Sequence, residues 1–185
     1  MTTGANSVHF PAFSRLLHWL MAIMVLAMLF IGVGMVTSES IRYHVLVSAH
    51  EPLGFAILVL VIIRVINRKL NPPPPLPADL PGWQKIAATG SHYLLYALMI
   101  LMPLIGWGML SAAPYPVVVF GTVHVPPILP QNAALYASLR HLHTVLAFLL
   151  FATFLGHLAA ALFHGLIRRD GVFESMASVG PTGRR

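Results

Sequence analysis

Six histidines, His18, His50, His92, His143, His157 and His164, fall within or beside stretches of chain that are otherwise almost wholly apolar. An imidazole buried among lipid-facing helices needs a partner, so each is a candidate for interhelical hydrogen bonding, proton transfer or metal ligation. Spacing narrows the choice. His143 and His157 are 14 residues apart, which on an α-helix is about 40° short of four full turns and roughly 21 Å of rise. Both therefore share one face at two depths. One metal ion cannot bind both, because a metal–imidazole bond is only about 2 Å long. Two cofactors stacked across a membrane can, each taking one axial imidazole from this helix and one from another. Such bis-imidazole ligation fills both axial positions of a haem iron and suits electron transfer rather than oxygen binding. The chain has no cysteine, which excludes disulfides, thiolate metal sites, iron–sulfur clusters and covalently attached haem.

Depth suggests the partners. His50 stands at the outer end of the second apolar stretch and matches His143, three residues inside Arg140. His18, at the inner end of the first, has two possible partners. Counted from Arg15 and Arg168 at about 1.5 Å per residue, His18 lies about 4.5 Å inward, His164 about 6 Å and His157 about 16.5 Å, so depth alone prefers His164. Helix spacing favours His157, provided the fourth span continues past the bilayer surface. Choosing His164 would separate two ligands on one helix by about 31.5 Å and leave the mid-membrane His157 without a role. His92 is left unassigned between hydrogen bonding to a propionate, lining a pocket and an ordinary interhelical contact.

These residues need elements to hold them, and composition says which. Of 185 residues, 57% are hydrophobic and only 9% charged, with a mean hydropathy of +0.80. That balance belongs to an integral membrane protein. Four stretches are long enough to cross about 30 Å of hydrocarbon, at about 14–36, 48–67, 86–110 and 140–167. No alternation argues for a barrel, so the expected fold is all-α, a membrane four-helix bundle forming a single domain in the lipid bilayer. The first span should not be a cleaved leader, since its apolar run is too long and no small-residue cleavage pattern follows it. The net charge of +6 does not indicate a nucleic-acid partner, because the basic residues sit at helix ends. Arg15, Arg64, Arg68, Lys69, Lys85, Arg168, Arg169, Arg184 and Arg185 share one side against Arg42 and Arg140 on the other. This asymmetry places both termini in the cytoplasm.

The connections complete the expected layout. Residues 71–82 form a proline-rich cytoplasmic linker that cannot be helical. Residues 111–139 form a periplasmic loop, apolar through Val117–Phe120, that should lie along the membrane and roof the bundle. Ser48 and Glu51 have capping-box spacing ahead of the second span, although a helix starting nearer Tyr43 would instead kink at Pro52, as the third should at Pro103.

Taken together, Leu16-Leu17-His18-Trp19-Leu20, His50 with Gly54 and Arg64, the proline-rich linker, Ser91-His92-Tyr93-Leu94-Leu95-Tyr96, His143, and the block from Gly156-His157 to Phe163-His164 resemble the prokaryotic cytochrome b561 family over nearly the whole chain. The resemblance implies two non-covalent haems b, one ligated by His18 and His157 and the other by His50 and His143. It also implies a quinone site near His164, with ubiquinone as the bound substrate. The implied activity is quinone-linked electron transfer at the bacterial inner membrane, from superoxide as in the superoxide oxidase type of member, or from a periplasmic redox protein. Read from the residues, a positive funnel for superoxide has only Arg42, Arg140, His44, His124 and His141 to draw on, balanced by Glu39 and Glu51. Two alternatives stand beside the oxidoreductase: an electron-carrier subunit docking a protein through the outer loop, and a histidine-lined proton or metal transporter. The transporter is disfavoured by spans that contain almost no Asp, Asn or Gln.

Overall fold

A computed structural model of the chain describes residues 9–38, 41–119 and 121–177. Glu39, Phe120, Arg184 and Arg185 lie outside these residues. Apolar runs without access to water must satisfy their backbone groups internally, and the chain does so with four long helices: α1 (Ala12–Val36), α2 (Ile41–Leu70), α3 (Gly82–Ala112) and α4 (Ala133–Leu162). Each is long and apolar enough to cross a membrane, α4 when counted on to Arg168. α1 packs on α2, α2 on α3 and α3 on α4.

The centre of the bundle follows helical spacing. Met21 and Val25 from α1, Ile57 and Val61 from α2, and Met99 from α3 form its buried cluster, with Phe154 of α4 packed against them. The pairs four residues apart lie on one helix face. Large apolar side chains such as Ile23, Phe30 and Phe148 point outward, as a lipid-facing surface requires. The Asn67 amide donates to Ser14 Oγ at 2.7 Å, tying α2 to α1 in a buried position.

The fold differs from the sequence expectation in four places. The capping box at Ser48 does not form: α2 begins at Ile41 and carries Pro52 inside it, while the Ser48 hydroxyl donates to the Val45 carbonyl. The apolar residues before Ser48 extend the helix outward, and the proline removes only the one bond that its missing N–H would make. The loop between α3 and α4 is not wholly irregular. Val117–Val119 (β1) pairs antiparallel with Val123–Val125 (β2), a short departure from the all-α expectation. Valine favours extended backbone, and prolines at 116 and 126 bound the hairpin. Hydrogen bonds from Trp107 Nε1 to the Pro126 carbonyl and from the Ile128 N–H to Ser111 Oγ fasten this loop to the end of α3. α4 starts at Ala133 rather than near 140, because the Asn132 side chain accepts the Leu135 N–H and caps it. Finally, α4 does not end at Leu162 but widens into a π-turn, Phe163–Arg168. The chain then turns through a left-handed Arg169 (φ 51°) and Gly171 (φ 81°) into a short helix, α5 (Val172–Ala177).

Candidate functional site

The helices bring the histidines together in two facing pairs. His50 of α2 and His143 of α4 have ring centres 6.2 Å apart, with planes inclined at 61°. His18 of α1 and His157 of α4 are also 6.2 Å apart, inclined at 68°. The common separation is informative. Two imidazoles sharing a direct N–H···N bond have centres about 5.2 Å apart, whereas two imidazoles on opposite sides of one metal ion have centres about 6.3 Å apart. Both pairs match the second value and are too long for the first. In the pair nearer the α3–α4 loop, the outer pair, Nδ1 of His50 is buried without a hydrogen-bond partner. Such a nitrogen is costly in a site built only for packing. The residues present therefore fit bis-imidazole haem at both places.

The surroundings of each pair are distinct. Gly106 of α3 backs the outer pair: a Cβ placed there would sit 3.5 Å from Cε1 of His143, in ordinary contact. Around the inner pair the chain concentrates polar groups. An Arg64 terminal nitrogen donates to Nδ1 of His18 at 2.7 Å, so only the other ring nitrogen of His18 is open to a metal. Arg64 and Arg68 both stand over the ring of Tyr96, 5.6 and 5.8 Å from its centre. Arg64 thus turns into the bundle, whereas its position near the end of the apolar run is equally compatible with snorkelling to the surface. His92 lies beside the inner pair, its ring centre 5.2 Å from that of His157.

His164 is not in either pair. It lies seven residues beyond His157, on the π-turn, where its Nδ1 is 2.8 Å from Asp170 Oδ2. Arg168 Nε donates to the same oxygen at 2.7 Å, and the Val172 N–H donates to Oδ1 at 3.3 Å. Arg168 also reaches across to Asp79 in the linker between α2 and α3. Partial burial alone would push the Asp170 carboxyl up; hydrogen bonds from His164, Val172 and Arg168 outweigh it and hold the carboxyl below the usual carboxylate range. α5 is held against this end by Trp19 Nε1 donating to the Met176 carbonyl and by the Phe10 N–H donating to that of Ser175. Gly165 lets the ring of Phe173 approach closely, since a Cβ would lie 3.0 Å from its Cγ.

Sequence reasoning located the histidines but missed Arg64 and Asp170 as their companions, and Asp79 as the anchor of Arg168. A lone aspartate following His164 by six residues, inside the basic run Arg168-Arg169-Asp170, is the signal that was available. Among the described residues, no three His, Asp or Glu side chains converge as a bare-metal site.

Comparison with known proteins places this arrangement. The family model described as prokaryotic cytochrome b561 matches residues 9–178. The chain is 32% identical to cytochrome b561 homolog 2 of Escherichia coli (strain K12) over 166 residues, 88% of each chain. It is 26% identical to cytochrome b561 homolog 1 of the same organism over 168 residues, 86% of this chain and 92% of that one. A protein of Yersinia pestis named probable superoxide oxidase CybB is 30% identical over 128 residues, 69% of this chain and 72% of its own. The chain belongs to the prokaryotic cytochrome b561 family, helical multi-pass proteins of bacterial membranes that bind haem b and carry electrons.

Proposed function

We propose that this protein moves single electrons across the inner membrane between a periplasmic donor, superoxide, and the quinone pool, with both termini in the cytoplasm. His50 and His143 hold one haem b and His18 and His157 the other. The observation that carries this reading is the repeated 6.2 Å separation of imidazoles contributed by α1, α2 and α4, with α4 supplying one member of each pair. Haem b, held by these imidazoles, would supply a reversible one-electron couple. The chain's own residues orient the rings, exclude water and set the local charge, Arg64 beside the inner pair being the main cation.

His164 is the residue on the quinone side. The residues before α1, the linker 71–82 and the end of α4 share the basic side, which supports their cytoplasmic placement. The superoxide reading draws on the name of the Yersinia pestis relative and on Arg140, His124 and His141 around the outer loop. Two superoxide anions oxidised to dioxygen release two electrons, which with two protons convert one quinone to a quinol.

The reading is tested by a pyridine haemochrome assay, expected to give two haems b per chain, and by stopped-flow mixing with superoxide, expected to reduce them at a near-diffusive rate. One haem per chain would overturn the ligand set. Two haems with no response to superoxide would favour an electron-carrier subunit, for which the hairpin β1–β2 and the exposed Tyr115 and Ile128 offer a docking surface.

A further inference from the structure

We propose that Asp170 is a positioning residue for quinone reduction: its carboxylate keeps a proton on Nδ1 of His164, so that Nε2 becomes the atom that hands protons to the quinone. This rests on the reading of His164 as the quinone-side residue. The geometry is specific. On an uninterrupted α-helix, residues six apart point about 120° away from each other and cannot meet. Here they do meet, at 2.8 Å, because α4 widens into the π-turn Phe163–Arg168 and the chain doubles back at Arg169, whose N–H bonds the His164 carbonyl at 2.7 Å. π-turns are rare and are frequently found at functional sites.

The dyad is shielded and braced. The His164 and Asp170 side chains are 16% and 11% exposed. The Asp170 oxygen that takes the His164 bond is fixed from a second direction by Arg168, itself anchored on Asp79. Arg169, next to Asp170 in sequence, donates instead to the Leu166 carbonyl. A carboxylate only accepts, so the hydrogen between it and His164 belongs to Nδ1. When the ring also carries a proton on Nε2, Asp170 balances its charge. Converting a quinone to a quinol takes two electrons, supplied by the carrier activity, and two protons. In each protonation the Nε2–H bond breaks, an O–H bond forms on a quinone oxygen, and the ring is left neutral with its proton on Nδ1. Water at this end of the bundle then returns a proton to Nε2.

The experiment uses purified, pre-reduced holoprotein mixed with a short-chain ubiquinone analogue, reoxidation being followed in the visible band. Asp170→Asn should retain both haems and bind the analogue with half-saturation within about twofold of wild type, yet its limiting rate should fall about tenfold or more, as when an acid–base histidine loses its orienting carboxylate. Asp170→Glu should recover most of the rate. Independently of any variant, ¹⁵N-histidine NMR of the fully reduced protein should show the His164 ring protonated on Nδ1, its signals identified by their loss in His164→Gln. An Asp170→Asn limiting rate equal to wild type, or a His164 ring carrying its only proton on Nε2, overturns the proposal. If His164→Gln itself reoxidises at the wild-type rate, the quinone-side reading falls together with it; if His164→Gln is slow and Asp170→Asn is fast, the role of Asp170 alone is refuted.

Discussion

Removing the charge at Arg64 should lower the midpoint potential of the inner haem. The guanidinium lies 2.7 Å from His18 Nδ1; crossing the ring adds about 2.2 Å and a metal bond about 2 Å, so an iron held by the other ring nitrogen of His18 would lie about 7 Å from a full positive charge. The oxidised iron carries one more positive charge than the reduced iron. At an effective dielectric constant of about 20, the repulsion is about 2 kcal/mol, on the order of 100 mV for one electron. Arg64→Leu and Arg64→Gln should therefore each lower one of the two potentials by 50 to 100 mV, on this same estimate, while Arg64→Lys changes it much less. Glutamine retains a donor for His18, so agreement between the leucine and glutamine variants separates charge from hydrogen bonding. Potentiometric titration of the visible spectrum provides the measurement, and the outer haem serves as internal reference. If both neutral variants hold two haems and both potentials stay within about 20 mV of wild type, Arg64 does not sense the iron and the assignment of His18 to that site fails.

Further outcomes follow from the same geometry. His143→Ala should remove the outer haem and His157→Ala the inner one, each leaving about one per chain by haemochrome assay; two haems in both variants would refute the pairing. His164→Ala should keep both haems, and loss of one there would restore the pairing by depth alone. Asn67→Ala should destabilise the bundle by about 0.6 to 1.7 kcal/mol, measured as a lowered thermal midpoint in detergent, because it strands the Ser14 hydroxyl. Asp170 is held low by its donors, so its contribution is complete above the ordinary carboxylate range, persists into that range and is lost as pH falls through its depressed value. Fluorescence of Trp19, which is bonded to Met176 of α5, should report that release, in a protein with Trp83 and Trp107 replaced by phenylalanine. Release at the ordinary carboxylate pH would contradict the dyad.

The bundle and its facing histidines were legible because helical periodicity converts a spacing of 14 residues into a shared face, and long apolar runs leave the backbone no alternative to a helix. The choice of partner for His18 was not legible from depth. That count took Arg168 as a marker of the membrane surface, but Arg168 is committed to Asp170 and Asp79 and marks a salt-bridged turn instead. The meeting of His164 and Asp170 depends on one widened turn and one left-handed residue, and no hydrophobic pattern encodes either. Arg64 looked like an ordinary helix-end cation; only the placement of Tyr96 and His18 on neighbouring helices shows why it turns inward. The hairpin was hidden because three-residue strands fall below any periodicity signal.

The fastening of α5 onto α1 has a bearing on assembly. Phe10 and Trp19 find their hydrogen-bond partners more than 150 residues downstream, at Ser175 and Met176, and the imidazoles of His18 and His157 meet across nearly as long a separation in sequence. During synthesis, α1 must wait in the bilayer, unpaired on that side, until α4 and α5 have emerged from the ribosome. A ligand that needs both rings would have nowhere to settle on the nascent chain, and its insertion would be a late event that follows the arrival of α4 beside α1.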